Sequence, residues 1–341
     1  TRIETMDKQV GLIIQRLKNE GLYDNSYIFF FSDHGGNLPW MKREILERGT
    51  HIPFVVKLPD GNQSGTENND LISSIDFAPT VLSIAGIKAP KYYQGQAFLG
   101  EYSENSKRKY VFAARDRMDE KYDRVRAVRD GQFRYIYNYM PDQPKYQDIA
   151  YRKGIPLMKE ILEKRNAGKI TNSYLADWFK PTKPVEELYD VTNDPDEVNN
   201  LASNPKYAKK LKELRKAFKK WTKKVGDMSS VSEREMVVTN WWNGKETQPV
   251  TAKPEILVKD GKITLSSSTK GASIGYKILK KGESGKEKRT VKSYDLGVVF
   301  GSVKNGKEIE VDPSYSVYQG EEITLNKGEI LKVNAMRIGY K

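Results

Sequence analysis

Apolar residues near the start of the chain follow first a helical and then a strand spacing. From Ile3 to Leu17 they recur every three or four residues, which predicts a helix over residues 2–20. Residues 27–31 form a continuous apolar run rich in aromatics, and residues 54–58 form a second run, so both are predicted strands. A helix followed by a buried strand indicates an α/β layer, in which the first run would fill a parallel sheet covered on both faces.

The spacing then changes to that of an antiparallel sheet with helices. Three short apolar runs bounded by turn residues are predicted antiparallel strands: 110–112, 125–128 and 133–137. Helical spacing follows in residues 156–166 and in the lysine-rich stretch 206–224. This stretch interleaves apolar residues with lysines, so we expect an amphipathic helix with a solvated outer face.

These changes of pattern divide the chain into parts. With 341 residues, the chain exceeds the roughly 250 to 300 residues at which single cores stop growing. Residues 226–254 are polar and irregular. Short predicted strands follow them, and the first two are joined by a predicted hairpin turn at Asp260-Gly261. We predict an α/β part, an antiparallel-sheet subdomain with a long helix, a linker and an all-β sandwich module: 1–105, 106–228, 229–250 and 251–341.

Composition narrows the possible functions. The chain has no cysteine, which excludes disulfides, thiolate metal sites and a cysteine nucleophile within these residues. Its longest apolar runs are far shorter than the roughly 20 residues that cross a bilayer, so no membrane span is expected. The formal net charge of +13 favours an acidic partner such as nucleic acid, an anionic membrane or a sulfated polymer. A lysine-rich solvated surface is the alternative explanation.

The strongest chemical signal is the position of the two histidines of the chain. His34 and His51 both lie within residues 32–53, beside the ends of the two predicted strands. Ligands in open α/β sheets collect beyond the carboxyl ends of strands, which is where Asp33 and His34 stand. A carboxylate suits a hard cation such as Ca²⁺, whereas an imidazole suits softer metals or a ligand oxygen. Taken alone, Asp33 and His34 are explained equally well by an Asx turn. Lys42 alone is explained equally well as a solvated surface charge.

A family resemblance favours the metal site. Residues 21–35, which end in Ser32-Asp33-His34-Gly35, and the later stretches Lys42-Arg43, 47–53 and 58–61 resemble the second half of a type I sulfatase catalytic domain. The stretch from Glu187 to Glu197, with Asn200-Leu201, resembles the sulfatase C-terminal motif. The resemblance covers residues 1 to about 245 and is closest to bacterial polysaccharide sulfatases, including those acting on glycosaminoglycans.

The resemblance implies a fold as well. We expect the C-terminal portion of an alkaline-phosphatase-like α/β fold, with an incomplete mixed sheet, helices and a small antiparallel α+β subdomain. The last part of the chain, 251–341, resembles the small β-sandwich modules appended to many bacterial carbohydrate enzymes. For this module we expect a packing or spacing role.

The resemblance also implies roles for individual residues. Asp33 matches a calcium-binding aspartate, and His34 stands at a position that contacts the metal or the sulfate. Lys42 matches the lysine that holds a sulfate oxygen, where its ammonium would stabilise the charge that builds as sulfur is attacked. His51 is expected to orient groups in the site. A hydrogen bond to Glu47 is the alternative explanation for this histidine.

A cluster of charges marks a possible saccharide subsite. Arg115, Asp116 and Arg117 lie where sulfatases build such subsites, and arginine forks suit sulfates and carboxylates. A surface ion-pair network explains the cluster equally well. We therefore expect a sulfated saccharide as partner, possibly a glycosaminoglycan, and no nucleic acid. The resemblance also implies a bacterial enzyme in the periplasm or outside the cell.

Sulfatases attack sulfur with a formylglycine made in a Cys/Ser-x-Pro-x-Arg motif, and this motif does not occur in the 341 residues. We therefore expect a portion that is inactive alone and whose partner is the missing N-terminal portion of the same enzyme, where the formylglycine would lie. The main hypothesis is hydrolysis of sulfate esters or sulfamates. A phosphodiesterase or phosphatase of the alkaline phosphatase superfamily is a second hypothesis, and a non-catalytic saccharide-binding fragment is a third.

Overall fold

A computed structural model describes most of the chain, in six stretches: 1–104, 107–118, 120–283, 287–291, 307–311 and 315–341. The chain divides into two compact units, Thr1–Ser229 and Ser230–Lys341. The predicted boundary between residues 105 and 106 lies outside the described residues. Within the described stretches, none of the helices combines the length and the apolar character that a bilayer crossing requires.

The first unit is a mixture of helices and strands. Its α-helices are α1 (Arg2–Asn19), α2 (Glu47–Thr50), α3 (Phe77–Ile84), α4 (Ala150–Lys153), α5 (Pro156–Asn166), α6 (Ser173–Trp178) and α7 (Ala208–Val225). Its strands are β1 (Ile28–Phe31), β2 (Phe54–Lys57), β3 (Val111–Met118), β4 (Lys121–Arg129), β5 (Phe133–Asn138) and β6 (Glu186–Asp190). The three long helices predicted from the apolar spacing are present, with ends within two residues of the predicted positions.

The apolar run of β1 has a different neighbour from the one expected. β1 pairs antiparallel with β2, and Phe31 lies opposite Phe54. In the described part of the chain this pair forms a two-stranded sheet, in which Phe30 and Phe31 are 38% and 45% exposed. The expectation of a parallel sheet covered on both faces is not met there. A continuous apolar run predicts a strand, but it carries no information about the direction of the neighbouring strand.

The centre of the first unit is the antiparallel sheet β3-β4-β5-β6. One face carries Val128, Tyr135 and Leu188 and packs against Leu214 and Phe218 of α7. These two residues repeat at helical spacing, as the sequence predicted for an amphipathic helix. Since side chains alternate along a strand, the neighbouring residues form a second core on the opposite face: Val125, Ala127, Ile136 and Tyr189, with Ile45 packed among them. The loop that precedes α2 therefore covers this second face.

The second unit begins with a short helix, α8 (Glu233–Met236), and a π-helical turn, Val237–Trp241, and strands follow. These are β7 (Glu255–Lys259), β8 (Lys262–Ser266), β9 (Ser273–Leu279), β10 (Glu287–Val291), β11 (Lys307–Val311), β12 (Ser316–Val317) and β13 (Ile330–Met336). Asp260 and Gly261 join β7 to β8 with φ values of 50° and 77°, the left-handed pair typical of a tight hairpin. Ile263, Leu265 and Ile323 form the core of the second unit. The expected fold class, an α/β part with a small antiparallel subdomain and an all-β module, is confirmed.

Candidate functional site

The Asp33-His34 pair lies in a turn that follows β1 directly. The Oγ of Ser32 donates a hydrogen bond to the carbonyl of His34 at 2.6 Å, which closes the turn. His34 Nδ1 lies 2.5 Å from the carbonyl oxygen of Gly35, and Nε2 lies 3.4 Å from Asp33 Oδ2. The Asp33 side chain is 84% exposed and that of His34 is 34% exposed. The turn thus places a carboxylate and an imidazole side by side at the surface.

Two glycines allow the loop before α2 to close against this turn. The N–H of Gly35 donates to the carbonyl of Gly49 at 3.0 Å. A Cβ atom on Gly35 would lie 1.9 Å from the carbonyl oxygen of Arg48, and one on Gly49 would lie 2.0 Å from that of Glu44. Both distances are far below van der Waals contact. The backbone approach that joins the loop to the turn therefore requires glycine at both positions.

Lys42 belongs to the same folded loop as the Asp33-His34 turn. Its backbone N–H donates to the carbonyl of Gly36 at 3.1 Å, three residues after Asp33. Its ammonium lies 5.4 Å from the centre of the Tyr151 ring, a cation–π distance. The hydroxyl of Tyr151 donates to Asn37 Oδ1, within the same loop. Tyr151 therefore contacts the loop at two points, one of which is Lys42 itself.

His51 follows the last residue of α2 and contacts the carboxylate of Glu47, the first residue of that helix. Its Nδ1 lies 3.3 Å from Glu47 Oε2, and its ring is 76% exposed. The hydrogen bond with Glu47 raises the pKa of His51. Burial favours the neutral form of Glu47, but hydrogen bonds and charge from His51, Arg134 and Arg129 outweigh it and hold the pKa of Glu47 well below its ordinary value. The hydrogen bond that sequence reasoning considered for His51 is present.

The turn at Glu47 is bound to the second sequence motif. Glu197 Oε2 accepts a hydrogen bond from the backbone N–H of Glu47 at 2.6 Å. Arg134 bridges the two carboxylates: its Nη2 pairs with Glu47 Oε1 and its Nε lies 3.0 Å from Glu197 Oε1. Arg48 Nε donates to Asp196 Oδ1 at 2.9 Å. The two motifs that suggested the family therefore form one interface.

Sequence reasoning did not single out Arg134, Glu197 or Tyr151. Arg134 carried a usable signal, because an arginine inside an apolar strand run has to be paired when it is buried. Glu197 stood inside a recognised motif, but nothing in the sequence indicates its partner. Tyr151 has no distinguishing sequence feature.

Arg115 lies inside the unit. Its side chain is 6% exposed and pairs with Glu44, while its Nη2 donates to Asp123 at 2.7 Å. Glu44 also accepts from Arg152 Nη2 at 2.8 Å. Through its ion pair with Glu44, the guanidinium of Arg115 thus stabilises the loop that carries Lys42.

The other two residues of this cluster lie nearer the surface. Asp116 accepts two hydrogen bonds from Arg126, at 2.9 and 3.1 Å. Arg126 is in turn paired with Asp227 at 2.8 Å. Arg117 is exposed. The ion-pair interpretation therefore describes the observed contacts of Arg115 and Asp116, and their contact with a saccharide stays a prediction.

The donor set around Asp33 is suited to part of a cation site. Ca²⁺ takes about six to eight oxygen ligands. Within the described stretches, no three histidine, aspartate or glutamate side chains lie close enough together to share one ion. The exposed Asp33 carboxylate could supply one oxygen ligand, with His34 beside it. The described residues therefore supply at most one carboxylate and one imidazole to a cation site and do not form such a site by themselves.

Comparison with known proteins gives a consistent set of similarities. The Sulfatase family model matches residues 1–87. An ulvan-active sulfatase of Formosa agariphila is 47% identical over 339 residues, which cover 99% of this chain and 52% of that protein. The N-sulphoglucosamine sulphohydrolase of Homo sapiens is 27% identical over 237 residues, 65% of this chain and 46% of that protein. This chain spans about half the length of the curated relatives it matches.

Solved structures show a similar partial overlap. One described as a 2-O GAG sulfatase is 20% identical, with a TM-score of 0.49, and the match covers 67% of this chain and 42% of that one. The match with the ulvan-active sulfatase includes nearly every residue of both compact units.

Proposed function

The chain belongs to the sulfatase family, and we propose that it supplies metal-binding and sulfate-binding side chains for the hydrolysis of sulfate esters or sulfamates of an acidic saccharide. One observation carries the proposal. The Asp33-His34 turn and the Lys42 loop are joined by backbone hydrogen bonds, at the Gly35 N–H and at the Lys42 N–H. This arrangement keeps an exposed carboxylate and an ammonium in one short folded segment.

In this proposal each side chain has a role that its chemistry supports. Asp33 and His34 would hold a calcium ion, which when bound neutralises charge on the sulfate oxygens. The ammonium of Lys42 would donate to a non-bridging sulfate oxygen and stabilise the charge that grows there during attack on sulfur. His51, whose raised pKa favours the charged imidazole, would orient the anionic group while Glu47 fixes its ring.

The nucleophile in this proposal comes from polypeptide outside these residues. A Cys/Ser-x-Pro-x-Arg motif does not occur in the 341 residues, and the described residues fit only part of a calcium site. The 341 residues alone are therefore expected to release no sulfate. Addition of the polypeptide that carries the formylglycine should restore activity.

The proposed substrate is a sulfated polysaccharide such as ulvan or a glycosaminoglycan. One relative is an ulvan-active sulfatase, and another is an N-sulphoglucosamine sulphohydrolase. The net charge of +13 favours association with an anionic polymer. Because a polymer of this kind is degraded outside the cytoplasm, the proposed location is the periplasm or the extracellular space.

The test is release of sulfate by the complete enzyme, with Lys42→Ala as the variant and Lys169→Ala as the control. Lys169 is exposed and lies outside the loop, so its removal should change turnover less than about twofold. Lys42→Ala should lower sulfate release from ulvan oligosaccharides by about a hundredfold or more. Unchanged turnover in Lys42→Ala would overturn the assignment of Lys42. Faster hydrolysis of an aryl phosphate than of an aryl sulfate would favour the phosphatase hypothesis, and binding without turnover would favour the saccharide-binding hypothesis.

A further inference from the structure

The helix α1 carries an apolar stripe that is exposed to solvent. Six apolar residues recur every three or four positions and fall within about 100° of the helix circumference: Ile3, Met6, Val10, Ile13, Ile14 and Leu17. Ile3 and Ile13 are 73% and 61% exposed, and none of the residues of α1 is buried. A helix of this length is only marginally stable in water unless its apolar face packs against another surface. The stripe therefore requires a partner surface.

The β1-β2 sheet has a second exposed apolar surface. Phe30 and Val55 lie opposite each other and share one face of the sheet, where they are 38% and 61% exposed. The other face differs, because Phe31 and Phe54 pack on Phe77 of α3, with ring centres 4.7 and 5.2 Å apart. Within the described stretches β1 and β2 pair only with each other, and a two-stranded sheet is at best marginally stable alone. The face of Phe30 and Val55 therefore needs a further layer.

The contacts of Lys57 place the end of α1 on this same face of the sheet. Side chains two positions apart on a strand point to the same side, so Lys57 shares the face of Val55. Its ammonium donates to the carbonyl of Tyr23 at 2.5 Å and lies 4.6 Å from the centre of the Tyr23 ring. The N–H of Tyr23 in turn donates to the carbonyl of Leu17, the last residue of the stripe, at 3.2 Å. The stripe therefore ends beside the exposed sheet face, and one partner can cover both.

The extent of the match with the ulvan-active sulfatase indicates which polypeptide covers these surfaces. The match includes 99% of this chain and 52% of that protein, so about half of the relative has no counterpart in these residues. The strand β1 leads into Asp33, so a polypeptide packed on the sheet lies close to the candidate metal site. The described residues supply at most one carboxylate and one imidazole to that site, and the 341 residues contain no formylglycine motif. The apolar surfaces and the site therefore need the same polypeptide.

We propose that the α1 stripe and the sheet face of Phe30 and Val55 form one docking surface for the polypeptide that carries the formylglycine. The inference rests on the proposed function, because it names the partner that completes the same site. A second copy of this chain would cover the apolar residues, but it would bring no formylglycine motif to Asp33. The docking surface acts through apolar packing and has no catalytic role.

The experiment measures assembly of this chain with the part of the ulvan-active sulfatase of Formosa agariphila that lies outside the match, co-expressed as a separate tagged polypeptide. Isolation through the tag should recover the two chains in equal amounts. Ile13→Glu places a charge in the stripe and Val55→Glu places one on the sheet face, so each should lower the recovered amount of this chain by about tenfold or more. The matched control is Leu12→Glu. Leu12 is 72% exposed and lies on the side of α1 opposite the stripe, so recovery should stay within about twofold.

Hydrogen exchange in the isolated complex tests the docking surface without any substitution. The amides of α1 should exchange at rates within about tenfold of those of α7, whose apolar face packs in the core. Exchange of α1 at the rate of an unstructured peptide would show that the stripe stays uncovered in the complex and would overturn the proposal.

Three further results would overturn it. They are failure of the two chains to co-purify, an equal loss of recovery in Leu12→Glu, and a dimer of this chain that Ile13→Glu disrupts and the tagged polypeptide does not displace. Lys42→Ala separates this test from that of the proposed function. It should lower sulfate release by the complex about a hundredfold and leave recovery unchanged, so failure of either proposal is visible without the other.

Discussion

The side chain of Glu197 accepts a hydrogen bond from the backbone N–H of Glu47 at 2.6 Å, across 150 positions of sequence. Both residues are buried, with 2% and 6% exposure. Glu47 is the first residue of α2, where backbone N–H groups have no partner within the helix. Glu197 therefore satisfies a backbone donor in the segment that also carries Lys42 and His51. In this way the C-terminal motif fixes the geometry of the proposed sulfate site.

Replacement of Glu197 should change how stability depends on pH. Burial is the main cause that raises the pKa of Glu197 to about 7. Since this exceeds the ordinary value of 4.5, the contribution of Glu197 is fully present below pH 4.5 and is lost as the pH rises through about 7. Glu197→Gln removes this titration while its amide oxygen can still accept from Glu47. Relative to the unchanged protein, the variant should gain roughly 3 kcal/mol between pH 4.5 and 8.

Urea unfolding of both proteins at several pH values measures this difference. Glu163→Gln is the matched control, because Glu163 is exposed on α5 and its replacement should leave the pH dependence unchanged. Parallel stability curves for Glu197→Gln and the unchanged protein would show that Glu197 does not titrate in this window.

Arg134 should be among the most sensitive positions for stability. Its guanidinium pairs with both Glu47 and Glu197, and its side chain is 3% exposed. Arg134→Leu leaves two buried carboxylates without this partner, so we expect a loss of about 3 to 5 kcal/mol in the free energy of unfolding. Arg16→Leu is the control, since the exposed pair of Arg16 with Glu20 should contribute less than about 1 kcal/mol. Equal losses in the two variants would contradict this ranking.

Those features of the fold that depend on local spacing were predictable. α1 and α7 follow from apolar residues three and four apart, and the β7-β8 hairpin follows from Asp260-Gly261. The antiparallel pairing of β1 with β2 was not predictable, because an apolar run does not specify the direction of the strand beside it. The same limit applies to Arg115, which stood in an apparently exposed charge cluster. Its burial depends on Glu44, a residue 71 positions away.

For the candidate site, too, local features were predictable and features that depend on distant residues were not. Asp33 and His34 follow a strand end directly, and Lys42 was selected through the family resemblance of its motif. The hydrogen bond between His51 and Glu47 spans one helical turn and was one of the two explanations considered for this histidine. The residues that hold this segment in place lie far from it in the sequence, and no local sequence motif marks them. The sequence therefore suggests the polar groups of the candidate site but not the residues that hold them in place.

Gly49 should tolerate no side chain. A Cβ atom there would lie 2.0 Å from the carbonyl oxygen of Glu44 and 2.5 Å from that of Met41, so the backbone of the loop would have to move. We expect Gly49→Ala to reduce the free energy of unfolding by about 1 to 3 kcal/mol and to reduce sulfate release by the complete enzyme. Gly131→Ala is the matched control, because a Cβ atom at Gly131 meets nothing within 4 Å. A melting temperature for Gly49→Ala equal to that of the control would contradict the predicted clash.

Tyr151 should influence catalysis through Lys42. Its ring lies 5.4 Å from the ammonium, and its hydroxyl donates to Asn37. Tyr151→Phe keeps the ring and loses only the hydroxyl, so kcat/KM for sulfate release by the complete enzyme should fall about threefold. Tyr151→Leu also removes the cation–π contact that orients Lys42 and should cost about tenfold or more. Tyr92→Leu, an exposed control, should have no effect. Equal activities of the Phe and Leu variants would show that the ring does not position Lys42.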